Sequence, residues 1–214
     1  MAKRKKGKGK HLMNRSDIPY AQRLALRHQN DIVVNSNHAA LIAMYCMSVA
    51  MHRLEGIGYK RLVRFSYEFM DNVYEFYEDP EVNMVRIKRR LEQNGIQVSG
   101  EFFVAPRKEG QSWHEWEIDN NRLQASQVAL LCGDVTMNDM FGFGLERQER
   151  ITAMGRELSA RYAKEGEKFL LDEMEKIGFV VVDGQVKAFV DDDGNPITKK
   201  QWLEQEKNHG GKGS

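Results

Sequence analysis

Apolar residues recur at spacings of three and four along most of the chain, and the runs break at glycine or proline. Leu41, Ile42, Tyr45, Cys46, Val49 and Met51 form one broad apolar face between His38 and Leu54, which predicts a helix. Leu62, Val63, Phe65, Phe69, Val73 and Phe76 form another from Tyr59 to Tyr77, and an aromatic stripe of this kind belongs to a core. An earlier helix is expected from Ser16-Asp17-Ile18-Pro19 to about Gln29, with Asp17 as cap and Pro19 in the first turn. Residues 31–34 either extend it or connect it to a second cap cluster, Asn35-Ser36-Asn37. Glu78-Asp79-Pro80 ends the aromatic helix, and a further one runs from Val82 to Gln93 and stops at Asn94-Gly95. Ile96–Val98 and Glu101–Val104 read as short strands. Asp119-Asn120 caps a helix to about Phe141, and the next runs past Gly144 to Tyr162 and on to Lys176, with Gly166 as a break point. Phe179–Val182 and Gln185–Val190 flank Asp183-Gly184, a two-residue hairpin signal, and Thr198–Glu206 reads as a last helix.

Part of this pattern occurs twice. Laying Gly56 on Gly142 puts Gly58 on Gly144, Arg61 on Arg147 and Arg64 on Arg150. In the same register Ala39, Ile42, Cys46, Val49 and Met51 meet Ala125, Val128, Cys132, Val135 and Met137. After a slip of a few residues, Ile87, Leu91, Gly95, Ile96 and Val98 meet Leu170, Met174, Gly178, Phe179 and Val181. The expected fold is therefore mainly α with small β-hairpins (α+β), in two degenerate repeats of helix, Gly-X-Gly turn, helix and β segment. The halves should pack through Ile42, Cys46, Phe65, Phe69 and their second-copy partners. The expected organisation is a disordered basic tail over 1–15, a first repeat over 16–105, a linker over 106–118, a second repeat with the final helix over 119–207, and a flexible end over 208–214. Trp113 and Trp116 in the linker fit either a base-stacking platform or a third strand or lid over the first core; the burial preference of large aromatics favours the latter.

Charge adds an asymmetry that the net value of +1 hides. Lys3, Arg4, Lys5, Lys6, Lys8 and Lys10 crowd the first ten residues; without these six, 26 basic residues face 31 acidic ones. A basic arm touching phosphates and a solubilising tail both fit that pattern. An apolar share of 41% in 214 residues suffices for a core. No secretory signal and no uninterrupted apolar span of membrane length is read, and two cysteines in apolar helices suit reduced thiols in the cytoplasm.

Candidate chemistry is sparse. No Ser/His/Asp set, P-loop or nucleotide fingerprint occurs, so the expectation is a non-enzymatic protein with no cofactor. His38, Cys46, His52 and Cys132 have no metal-ligand spacing, and Asp191–Asn195 suits an Asx-type turn better than a calcium loop. Leu54-Glu55-Gly56-Ile57-Gly58-Tyr59-Lys60-Arg61-Leu62 resembles the hairpin of helix-hairpin-helix DNA-binding modules. That resemblance implies phosphate contact at Gly56, Gly58, Tyr59 and Lys60, with Arg61, Arg64 and the tail residues Lys3, Arg4, Lys5 and Lys6 adding charge. A glycine stop followed by a new helix explains the same residues without a ligand. The second copy departs from the pattern, with Gln148 at the place of Leu62 and with Glu146 and Glu149 beside the turn. The Met137–Arg150 stretch, with its Phe-Gly-Phe-Gly, resembles uncharacterised small proteins of tailed phages and prophages of Gram-positive bacteria, which implies a role on nucleic acid or on a host or phage protein in the host cytoplasm. Nucleic acid is the leading partner; a protein partner, with a homo-oligomer possible, is the alternative, and no membrane partner is expected.

Overall fold

The computed structural model describes residues 20–98, 102–191, 193 and 195–210, so Lys3, Arg4, Lys5 and Lys6 and the Ser16–Pro19 start signal lie outside the described residues. The chain is mostly helical. In order it forms α1 (Tyr20–Glu55), α2 (Tyr59–Glu78), α3 (Pro80–Gln93), α4 (Trp113–Phe141), α5 (Leu145–Glu165), α6 (Glu167–Ile177), strands β1 (Val180–Val182) and β2 (Gln185–Lys187), and α7 (Lys199–Gly210).

The two longest helices, α1 and α4, lie side by side and point the same way. His28 bonds Glu117 at 2.7 Å near one end, Arg122 Nε donates to Asn35 at 2.9 Å, and Met47 covers Gly133 further along. Small residues let the helices approach: Ala50, Ala129 and Cys132 are fully buried. Each helix then turns back at its Gly-X-Gly and sends its successor along the other long helix. Thus α5 returns along α1, with His38 Nε2 3.0 Å from the Tyr162 hydroxyl, and α2 returns along α4, with Asn72 donating to Thr136 at 3.0 Å. Both turns consequently sit at one end of the bundle.

The aromatic stripe is core, as its spacing predicts: Leu62, Val63, Phe65, Phe69, Val73 and Phe76 are all buried. Ile42, Cys46, Val128 and Ile151 join the same cluster. Burial pushes the Cys46 and Cys132 thiols up to about 12, which leaves them inert at neutral pH.

Several expectations need correction. α1 is one helix, not two; Asn35 sits inside it because its side chain donates back to the Asp31 carbonyl at 2.6 Å and accepts from Arg122 across the seam. α4 starts at Trp113 rather than Asp119, so the second half of the 106–118 linker is helix. Ser112 caps it, accepting from the Glu115 amide while Glu115 accepts from the Ser112 amide, a reciprocal box. Ser112→Ala should lower stability by about 1 kcal/mol in a denaturant titration; an unchanged midpoint would show that the box contributes nothing. The Trp113 ring is exposed and lies under Arg107, whereas Trp116 is half-buried and donates to the Ala105 carbonyl at 2.8 Å.

The first β-hairpin does not form among the described residues. Phe103 bonds instead to the Gln127 side chain through its amide at 2.7 Å and its carbonyl at 3.0 Å. Asn120 does the same for Ala105, accepting from its amide at 2.8 Å. Side chains of α4 thus replace a neighbouring strand. The second hairpin forms, with Val182 paired to Gln185 and left-handed Asp183 and Gly184 at the turn, but it ends at Lys187. The Phe189 amide is taken by the Tyr59 hydroxyl at 2.7 Å. The stretch Arg27–Glu55 within α1 is long and apolar enough to cross a membrane by length and composition, against the sequence expectation; its apolar face packs on α4 and α5.

Candidate nucleic-acid interface

α1 stops because Gly56 takes a left-handed conformation, φ +64°, which a side chain would strain. Its amide donates to His52 at 3.2 Å and the Ile57 amide donates to Met51 at 3.4 Å, closing the helix end. Ile57 is buried and pins the turn, with the His52 ring 3.0 Å from its carbonyl. Gly58 is extended and opens α2, its carbonyl accepting from Arg61 and Leu62 at 3.0 and 3.2 Å. Gly142, Phe143 and Gly144 repeat this arrangement, with φ +65° at Gly142, buried Phe143, and Asn138 bonded to the Phe143 carbonyl at 3.2 Å where His52 serves the first turn.

The first turn is open. Gly56 and Gly58 are exposed, and a Cβ on either would meet nothing within 4 Å. The amides of Gly58, Tyr59 and Lys60 have no acceptor among the described residues. Lys60, Arg61 and Arg64 are exposed, and none has an ion-pair partner among the described residues. The Arg61 guanidinium lies 4.8 Å from the Phe141 ring centroid, which holds it against the second half. Lys60 and Arg64 border a shallow depression shared with Asp191 and Glu204. The cationic ridge therefore has an acidic flank.

Tyr59 departs from the expected role. Its ring meets Phe179 edge-on at 5.1 Å and its hydroxyl is occupied by the Phe189 amide, so the side chain ties α2 to the C-terminal segment. Its backbone amide, by contrast, has no acceptor among the described residues.

The second turn is less suited to an anion. Arg150 and Arg147 reach Glu55 at 3.0 and 3.8 Å, and Arg150 also lies 3.8 Å from Glu146. Gln148, where the first turn has buried Leu62, is itself buried and donates to the carbonyls of Asp134 and Phe143 at 3.0 and 2.9 Å. Gln148 thus braces the second turn from within its own half, and the arginines at the positions of Arg61 and Arg64 join the halves through Glu55. The role of Glu55 as acceptor for both arginines is legible only once the two turns are known to be neighbours.

Among the described residues, no group of three or more His, Cys, Asp or Glu side chains could hold a metal ion. Set against protein-family models, curated proteins and solved structures, the chain matches none.

Proposed function

We propose that this chain is a nucleic-acid-associated accessory protein that contacts backbone phosphates without reading sequence. The supporting observation is the first turn: three unengaged amides at the start of a 20-residue helix, with Lys60, Arg61 and Arg64 exposed around them. Amides and the helix dipole favour an anion there, and the three cations lengthen the contact along a backbone. The basic N-terminal residues Lys3, Arg4, Lys5 and Lys6 add a second, sequence-blind contact.

The test is fluorescence anisotropy of a labelled duplex against salt. Each phosphate that is no longer neutralised lowers the slope of log affinity against log salt by about 0.9 on duplex DNA. Lys60→Glu with Arg61→Glu should therefore lower the slope by about 2, and removing residues 1–15 should lower it further. An affinity that survives all of these changes rules the mechanism out.

The same geometry supports duplication of one helical unit. Position 55 or 141 meets the arginine of the other half, as Glu55–Arg147 and Phe141–Arg61. Two residues earlier, the ion pairs Arg53–Glu173 and Asp139–Arg90 join the halves with the charges exchanged. A protein partner is the second reading, and a nuclease-resistant pull-down separates it. Tyr67, Tyr74, Val82 and Val85 favour it, being exposed on the outer faces of α2 and α3.

A further inference from the structure

At the same distance beyond its turn at which α2 carries Phe69, α5 carries Gly155. Phe69 is fully buried and fills the space beside α4, its ring edge against Gly133. Gly155 fills nothing: a Cβ there would meet no atom within 4 Å. A cavity of about 490 Å³ opens instead between α1, α4 and α5. That is the size of a small-molecule site.

The neighbouring positions change in the same direction. Met70 and Val73 of α2 correspond to Arg156 and Ser159 of α5, and Ser36 and Ala40 of α1 correspond to Arg122 and Ser126 of α4. All four of the replacements line the cavity. The first half thus carries Phe69, Met70 and Val73 where the second is hollowed, hydroxylated and ringed with cations.

The lining divides by depth. Ile42, Cys46 and Met47 form a buried apolar floor. Arg122 and Arg156 are exposed at the rim, where the His38 ring and the Tyr162 hydroxyl bond each other. Asn35 accepts from Arg122, which orients the guanidinium and leaves its charge uncompensated. Arg156 has no ion-pair or hydrogen-bond partner among the described residues. Among the described residues, no Asp or Glu lines the cavity; Glu167 of α6 is the acid that acts on Tyr162, from outside the lining.

We propose that this cavity binds a small amphipathic carboxylate. Its apolar body lies on the floor of Ile42, Cys46 and Met47, and its carboxylate meets Arg122 and Arg156 at the rim. A planar guanidinium matches a carboxylate in a forked pair, and two of them with no competing acid select an anion over a neutral amphiphile. The site lies along the bundle flank, separate from the Gly-X-Gly turns, so it does not depend on nucleic-acid binding.

The experiment is calorimetric titration of the full chain with decanoate and, separately, with decanol. Decanoate should bind at least about tenfold tighter than decanol, and Arg156→Met should remove that preference while leaving decanol binding in place. Gly155→Phe restores the first-half side chain and should abolish binding of both. If that variant does not fold, Ser159→Leu obstructs the same space, and loss of binding is expected there too. Equal affinity for the two probes, no binding of decanoate, or an Arg156→Met protein that keeps its preference would each overturn the proposal.

Discussion

Replacing Phe69 with alanine lowers the unfolding free energy by about 3–5 kcal/mol, the cost of removing a buried phenyl ring from a packed core. The ring is fully buried, lies 5.9 Å from the Phe65 ring and seats against Gly133 on the facing helix. Asn72–Thr136 and the Arg61 guanidinium over Phe141 tie α2 to α4 on either side of the ring, which limits how far the helices can close on the space it leaves. The corresponding change in the second half runs the opposite way. Gly155→Ala adds a methyl to open space and removes a helix glycine, so it gains about 0.5–1 kcal/mol. Denaturant titration of the two variants checks the pair. A Phe69→Ala cost as small as that of a surface change would mean that the core is not organised around this ring.

The second large effect is a pH dependence centred on Asp134. Its carboxyl is pushed up to about 7 by burial, and no donor or cation meets it among the described residues. A carboxyl whose folded pKa is raised binds its proton more tightly in the native state than in the unfolded chain. Stability from this group is therefore greatest at low pH, falls between about pH 4 and pH 7, and is flat above that. Linkage sets an upper bound of about 4 kcal/mol for a shift of that size, and about 2 kcal/mol is expected for a side chain that still reaches water. Asp134→Asn removes the titrating group. The variant should match the wild type near pH 3, where both states are protonated, and exceed it by about 2 kcal/mol near pH 8. A difference between the two proteins that does not change with pH would contradict this assignment.

Much of the helical scaffold is legible in the sequence, because its signals are local. The Leu62–Phe76 stripe, the glycine stops at 56, 95, 142 and 178, and the Asp183-Gly184 hairpin each depend on residues a few positions apart. The misreadings arise where a distant partner satisfies a local signal. Asn35 and Ser36 look like a cap until Arg122 is placed across the seam. Residues 101–104 look like a strand until Gln127 supplies the bonds to Phe103 that a strand would need, as Asn120 does for Ala105 just beyond. Ser112-Trp113-His114-Glu115 carries a reciprocal capping signal, but the two tryptophans fit a strand or lid equally well by composition.

The site divides in the same way. Gly56, Gly58, Lys60, Arg61 and Arg64 are where the spacing puts them, exposed at the start of α2. Tyr59 is not free, because its partner Phe189 comes from far along the chain and no spacing announces it. The neighbourhood of the two turns follows from the parallel course of α1 and α4, a tertiary fact with no local trace. The flank cavity has a faint one: a glycine at 155 inside an otherwise apolar helical pattern, at the place where the first half carries a fully buried ring.

Hydrogen exchange of the full chain, with and without a short DNA duplex at low salt, tests the nucleic-acid reading most directly. Slower exchange confined to the stretch from Gly56 to Arg64 and to the N-terminal basic residues is the outcome expected of phosphates seated at the start of α2. Unchanged exchange through that stretch, with slowing only over the outer faces of α2 and α3, would place the partner elsewhere and remove the phosphate contact.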